Sequence, residues 1–283
     1  MILPENVGRH LSIDETSLSR GELYTIITNK EANGGKGSIV AILKGVDSER
    51  LIPILLKKIP LEKRRIVEEV TLDMAGSMNQ IVSKIFTRAT KVTDRFHVQK
   101  LAYDALQQIR IEYRWEAIAQ ENEEIQLAKE QKEKFIPNRL SNGDTHKQLL
   151  ARSRYLLFKS KNNWTASQYH RAELLFHYYP RLEKAYELAQ KLGFIYQTAK
   201  DKGTAYTRLA RWYDEVDKSG FKSFSTISDS IHHHYKTILN FFERRSTNAA
   251  AESFNAKVKA FRAQFRGVRE VSFFLYRLCK IYG

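Results

Sequence analysis

Residues 67–98 read VEEVTLDMAGSMNQIVSKIFTRATKVTDRFHV. Val67 to Leu72 is an apolar, β-branched run that predicts a strand ending at Asp73. Met78 to Ala89 carries Ile81, Val82, Ile85 and Phe86 at helical spacing, and Thr90 to Thr93 predicts another strand, ending at Asp94. Upstream, Leu11-Ser12-Ile13 reads as a short strand ending at Asp14, and Leu23 to Thr28 as a second. The glycines of Asn33-Gly34-Gly35-Lys36-Gly37 mark a turn before a third strand, Ser38 to Leu43. Ser48 to Ile59 has helical spacing through Leu51, Ile52, Leu55, Leu56 and Ile59. The order β-β-β-α-β-α-β belongs to an α/β (α+β) chain with a mixed five-stranded sheet and helices on its faces.

From about residue 100 to 245 the strand signal disappears. Long segments rich in Leu, Ala, Lys, Glu, Gln and Tyr predict packed helices, interrupted at 137–143, 200–203 and 219–220. The mixed-sign run Gln120 to Lys134 reads as a solvated helix face. Ser246-Thr247-Asn248 is a start signal for C-terminal helices over 246–283. The chain therefore divides into a strand-bearing part (1–99), an all-helical part (100–245) and closing helices (246–283).

The net charge of +15 and pI near 9.7 favour a polyanionic partner, nucleic acid first. No apolar run is long enough to span a bilayer, and MILPENVGRH lacks the pattern of a signal peptide. A single cysteine, Cys279, excludes an internal disulfide and a Cys-rich zinc site.

Three acids stand out by position. Asp14 and Asp73 end strands one and four; if those strands are parallel neighbours, two carboxylates converge where ligand sites favour strand ends. Converging carboxylates repel unless a cation lies between them, and hard oxygen donors suit Mg²⁺ or Mn²⁺. Each Asp also reads as a turn or capping residue. On a helical projection Glu252, Asn255, Lys259, Arg262 and Arg266 share an arc of roughly 80°, mostly opposite Phe254, Val258, Phe261 and Phe265. One reading of that face is a metal-completing acid followed by cations that track a phosphate backbone. The other is a first-turn acid favoured by the helix dipole, with solvated cations beyond it. Asp94 reads either as a spare ligand or as a helix cap, and His97 as a phosphate or metal contact or as packing. His232-His233-His234 points in three directions on a helix and reads as surface or interhelical packing. Trp212 reads as helical core rather than as a base-stacking platform.

The strings Ser12-Ile13-Asp14-Glu15, Thr71-Leu72-Asp73-Met74-Ala75, Val92-Thr93-Asp94-Arg95-Phe96-His97-Val98 and Asn248-Ala249-Ala250-Ala251-Glu252-Ser253-Phe254-Asn255 resemble the DDE transposases of bacterial insertion sequences. The closest group has an RNase H-like core interrupted by a helical insertion before the last acid. The resemblance covers nearly the whole chain. It implies that Asp14, Asp73 and Glu252 are catalytic and hold two Mg²⁺ or Mn²⁺ ions, with Asp94 the alternative second acid and His97 supporting. It implies cleavage at element ends and transfer of the 3′-hydroxyl into target DNA, and a homo-oligomer assembled on DNA in the bacterial cytoplasm, at the nucleoid. Asn255, Lys259, Arg262 and Arg266 are then DNA contacts. Larger members carry a zinc-binding and helix-turn-helix segment before the first acid, whereas 13 residues precede Asp14 here. A separate small protein, or a lost N-terminal segment, is therefore expected to supply recognition of the element ends. A metal-dependent nuclease on the same fold and a non-catalytic basic nucleic-acid-binding protein are the competing readings.

Overall fold

Five strands, β1 (His10–Ser19), β2 (Glu22–Asn29), β3 (Ile39–Lys44), β4 (Glu69–Leu72) and β5 (Thr90–Thr93), form one sheet in the order β3-β2-β1-β4-β5 in a computed structural model of the chain. The structure describes all residues except 20–21, 246–248 and 265–269, and leaves out the side chains of 18–19 and 249–252. β1, β2 and β3 pair antiparallel, while β4 and β5 run parallel to β1. This is the RNase H-like mixed sheet that the sequence predicts. The chain falls into two units, Met1–His97 with His234–Gly283, and Val98–His233.

Helices cover both faces of the sheet, which is why β2 and β3 read as continuous apolar runs rather than as alternating ones. On one face Leu11, Ile13, Ile27, Val40, Val70 and Leu72 pack with α1 (Ser48–Lys58) and α3 (Gly76–Ile85) through Leu51, Leu55, Met78, Ile81, Val82 and Ile85. On the other, Tyr24, Ile26, Ile39 and Ile42 meet Phe254 and Val258 of α11 (Ala249–Gln264) and Phe274 and Leu278 of α12 (Val271–Tyr282). The Phe-rich side of α11 is thus its core side. A short α2 (Leu61–Arg65) precedes β4 and has no apolar periodicity that would have announced it.

β1 is longer than the sequence suggests. It does not stop at Asp14 but continues to Ser19, because the hairpin with β2 extends pairing through Asp14↔Ile26 and Thr16↔Tyr24. The parallel ladder with β4 ends earlier, at Ser12↔Thr71. Asp14 therefore sits inside a strand, just beyond the point where its parallel neighbour stops.

The second unit holds most of α4 (Arg95–Glu130), with α5 (His146–Arg152), α6 (Ala166–Tyr178), α7 (Pro180–Thr198), α8 (Lys202–Ser219) and α9 (Lys222–His233). Its boundaries have local causes. Asp201 accepts the Thr204 N–H at 2.8 Å to start α8, and Gly220, at φ +67°, takes the left-handed conformation that ends it. Trp212 is fully buried and donates Nε1–H to the Leu188 carbonyl at 2.9 Å, so it is helical core. His232 and His233 are exposed at the end of α9, and the His232 ring lies 5.6 Å from that of Tyr213. The unit ends at His233, whereas the sequence places 234–245 with the helical part. The difference is α10 (Tyr235–Arg244), whose Asn240 donates to the Lys91 carbonyl at 2.7 Å and whose Thr237 hydroxyl lies 2.7 Å from that of Thr93. Among the described residues no helix is long and apolar enough to cross a membrane.

The packing of α11 on the sheet predicts a contrast between two phenylalanines. Phe254 is 1% exposed and Phe273 is 45% exposed. Phe254→Ala should destabilise by about 3–5 kcal/mol and Phe273→Ala by less than about 1 kcal/mol. Urea denaturation followed by circular dichroism reads the difference; equal midpoints would place α11 outside the cooperative core.

Candidate active site

The register of the parallel strands builds the site. His10 faces Glu69 and Ser12 faces Thr71 across β1 and β4, and Thr71 and Leu72 face Val92 and Thr93 across β4 and β5. Side chains alternate between faces with a period of two. Two residues past the last β1–β4 pair stand Asp14 and Asp73, and one residue past the last β4–β5 pair stand Asp73 and Asp94. Three acids therefore lie in a row across the carboxyl ends of the parallel strands, with Asp73 in the middle.

Each carboxylate is held differently. Asp14 is half-buried; its Oδ1 accepts the Glu15 N–H at 2.8 Å and its Oδ2 accepts Nδ2–H of Asn255 at 2.6 Å. Asp73 is half-buried, and its Oδ1 accepts the Ala75 N–H at 2.8 Å. Asp94 is 3% exposed; its Oδ1 accepts the Phe96 N–H at 3.1 Å where α4 begins, and its Oδ2 lies 3.3 Å from His97 Nδ1. That last approach is an ionic contact rather than an aligned hydrogen bond, since Nδ1 is buried without a well-directed acceptor.

The electrostatics tie these groups together. Burial pushes the Asp14 carboxyl above the ordinary aspartate value; the Glu15 N–H and His97 pull it down, and Asp73 and Asp94 push it further up. The Asp94 carboxylate raises His97 above the ordinary histidine value against the opposing effect of burial, and Asp14 and Asp73 add to the rise. Among the described residues no three His, Cys, Asp or Glu side chains stand at metal-ligand spacing.

A second set of polar residues lies behind the acids, and sequence reasoning missed it. Lys30 Nζ lies 3.3 Å from Glu69 Oε1 and 2.9 Å from Thr71 Oγ1, with the Lys30 and Glu69 side chains 10% and 3% exposed. Burial lowers the Lys30 ammonium from its ordinary value, while Glu69 and Asp94 raise it. The signal was present: Glu69, Thr71 and Asp73 are polar at every second position around the apolar Val70 and Leu72, as Ser12 and Asp14 are around Ile13.

The remaining sequence candidates lie on α11. Position 252 lies one turn before Asn255, about 60° away around the helix, but the Glu252 side chain is outside the described residues, as is Arg266. Asn255, grouped in the sequence with a basic phosphate-tracking face, is 9% exposed and bonded to Asp14 instead. Lys259 is exposed. Arg262 is half-buried with its guanidinium 5.4 Å from the Phe274 ring centroid, because its long stem covers apolar surface at the edge of the core.

A family model of DDE transposases of the ISL3 type, described as a transposase, matches residues 11–278. The chain belongs to this family. Neither a curated protein nor a solved structure matches it. The match runs from β1 through the helical unit to α12, so the three acids, His97 and the position of Glu252 all fall inside it. The transposase is accordingly a DNA-transposing enzyme, and DNA is its substrate.

Two measurements probe the electrostatics of this transposase. Because the folded His97 value is raised, its contact with Asp94 stabilises fully below the unfolded value of about 6.5, and that contribution is lost as pH rises through the folded value. In metal-free protein an NMR titration should place His97 above an ordinary histidine, and Asp94→Asn should lower it. An unchanged midpoint in Asp94→Asn would refute the assignment. Lys30→Met leaves Glu69 buried without this partner and should cost about 3–5 kcal/mol, whereas Lys30→Met/Glu69→Gln should recover most of that loss. Equal stability of the two variants in urea denaturation would count against a buried ion pair.

Proposed function

We propose that this transposase cleaves DNA at the ends of its insertion sequence and joins the freed 3′-hydroxyl to target DNA, with Asp14, Asp73 and Glu252 as the acids that hold the catalytic metal ions. The observation that carries the reading is the β1–β4 register, which sets Asp14 beside Asp73 on one sheet face in a half-buried setting. The donor set fits a hard divalent cation: both described acids offer carboxylate oxygens, and Asp14 is raised in part by the charges of Asp73 and Asp94, a repulsion that a cation relieves. Asp73 is favoured over Asp94 as the second acid on two grounds. It follows the strand adjacent to that of Asp14, and Asp94 is buried and already engaged with the start of α4 and with His97.

Asp14, Asp73 and Glu252 would hold two Mg²⁺ or Mn²⁺ ions, which when bound would supply Lewis acidity toward a water or 3′-hydroxyl nucleophile and the leaving oxygen. Asp14 contributes a carboxylate fixed by two hydrogen bonds, and Asp73 one fixed at a single oxygen. His97 balances the acidic row from the Asp94 side. Glu252, on the helix that packs against β1, completes the set. Lys259 and Arg262 follow on the same helix and, with Arg266 further along the chain, accompany the phosphate backbone, consistent with the net charge of +15. Assembly of a homo-oligomer on paired DNA ends and a nucleoid location in the bacterial cytoplasm belong to the same reading.

The test is an Mg²⁺- or Mn²⁺-dependent cleavage and strand-transfer assay on duplexes carrying the repeats that flank the gene. Asp14→Asn, Asp73→Asn and Glu252→Gln should each lose about a thousandfold or more, the rate equivalent of the several kcal/mol that a metal contributes. Asp94→Asn should retain more activity than Asp73→Asn. The reverse order would make Asp94 the second acid; cleavage without joining would indicate a nuclease, and salt-sensitive binding without cleavage a binding protein.

A further inference from the structure

Asn255 has an arrangement that packing does not explain. It lies on the inward side of α11 between Phe254 and Val258, both fully buried, where an apolar side chain would pack well. Its amide Nδ2 donates to Asp14 Oδ2 at 2.6 Å. Only the NH₂ end of the amide can face a carboxylate at that distance, so the carbonyl oxygen is fixed on the other side. That Oδ1 is buried and has no partner among the described residues. A buried, unpaired acceptor is disfavoured, and a specific one in a site calls for a ligand.

We propose that Asn255 is the positioning residue for Asp14, and that its free Oδ1 accepts a hydrogen bond from the O–H nucleophile that reacts there. The nucleophile is a water in cleavage and a DNA 3′-hydroxyl in joining; both present the same donor. The inference rests on the reading of Asp14 as a reacting-site acid. Its physical content is that one side chain does two jobs. The NH₂ fixes the rotation of the Asp14 carboxylate, leaving the second lone pair of each oxygen to face a cation. The carbonyl then sets the direction from which an O–H group approaches, without itself accepting a proton. Asn255 moves with α11, so the helix that carries Glu252 also carries the hydrogen bond that orients Asp14.

The test uses the full chain, with Mn²⁺ alone as the binding probe and a supercoiled plasmid as the nicking substrate. Asn255→Leu removes donor and acceptor together. It should weaken Mn²⁺ binding in the DNA-free protein, read by electron paramagnetic resonance, and slow Mn²⁺-dependent nicking, each by about 10–100-fold and at every pH. Asn255→Asp keeps the acceptor but can donate to Asp14 only while the facing carboxyl pair retains a shared proton. Its nicking should approach that of the unsubstituted chain near pH 6 and fall away as pH rises, whereas Asn255→Leu shows no such recovery. Circular dichroism of Asn255→Asp over the same pH range separates this from a purely structural role, in which the fold would be lost together with nicking. Unsubstituted Mn²⁺ affinity and nicking in folded Asn255→Leu would overturn the proposal, as would an unsubstituted pH profile in Asn255→Asp. If circular dichroism shows that Asn255→Leu does not fold, the near-isosteric Asn255→Asp decides alone. Asp14→Asn, assayed in parallel, separates the two ideas: unimpaired nicking there refutes the reading of Asp14 itself, whereas an inactive Asp14→Asn beside an unimpaired Asn255→Leu leaves that reading standing and removes Asn255.

Discussion

Like charges brought together in a half-buried site must be offset by something. The transposase places Asp14, Asp73 and Asp94 side by side where the pairing of three neighbouring parallel strands ends, and much of the sheet unit is arranged around that fact. His97 stands at ionic distance from Asp94, Lys30 is buried against Glu69 and Thr71, and Asn255 reaches across from α11 to Asp14. These contacts offset charge or fix carboxylate orientation without removing the mutual repulsion, which adds to burial in raising the proton affinity of Asp14. A site left in that condition is suited to a cation of higher charge than a lysine or histidine can provide.

The same arrangement explains how the fold was legible. α1 and α3 follow from apolar spacing, β5 from its β-branched residues, and the turn after β2 from its glycines, because there local pattern and tertiary packing agree. The length of β1 was not legible: Asp14, Glu15 and Ser17 interrupt the strand signal, and what extends the strand is pairing with β2. α10 has the amphipathic pattern of any packed helix, and only its bonds to Lys91 and Thr93 assign it to the sheet unit. Periodicity tells that a helix packs but not against what.

The site was legible in the same uneven way. Asp14, Asp73 and Asp94 were visible because each follows a strand signal. Lys30 was not, because it lies in the β2–β3 connection and reaches its partners only through the folded sheet. Asn255 was found but given the wrong surroundings. A helical projection assigns angles around an axis but not what stands opposite each of them: Lys259 is exposed, whereas Asn255, at a similar angle, is buried and bonded to Asp14.

The unequal reach of β1 and β4 has a mechanical consequence. Asp14 is set in the middle of a beam, with laddered backbone on both sides of it along the β2 edge. Asp73 stands on the free tip of a four-residue strand, tethered by one bond to the turn that follows. Two supports of such different stiffness do not share a displacement equally. Under the proposed function, a change of reacting group would therefore be taken up at Asp73 rather than at Asp14, a difference set by where one strand stops and its neighbour continues.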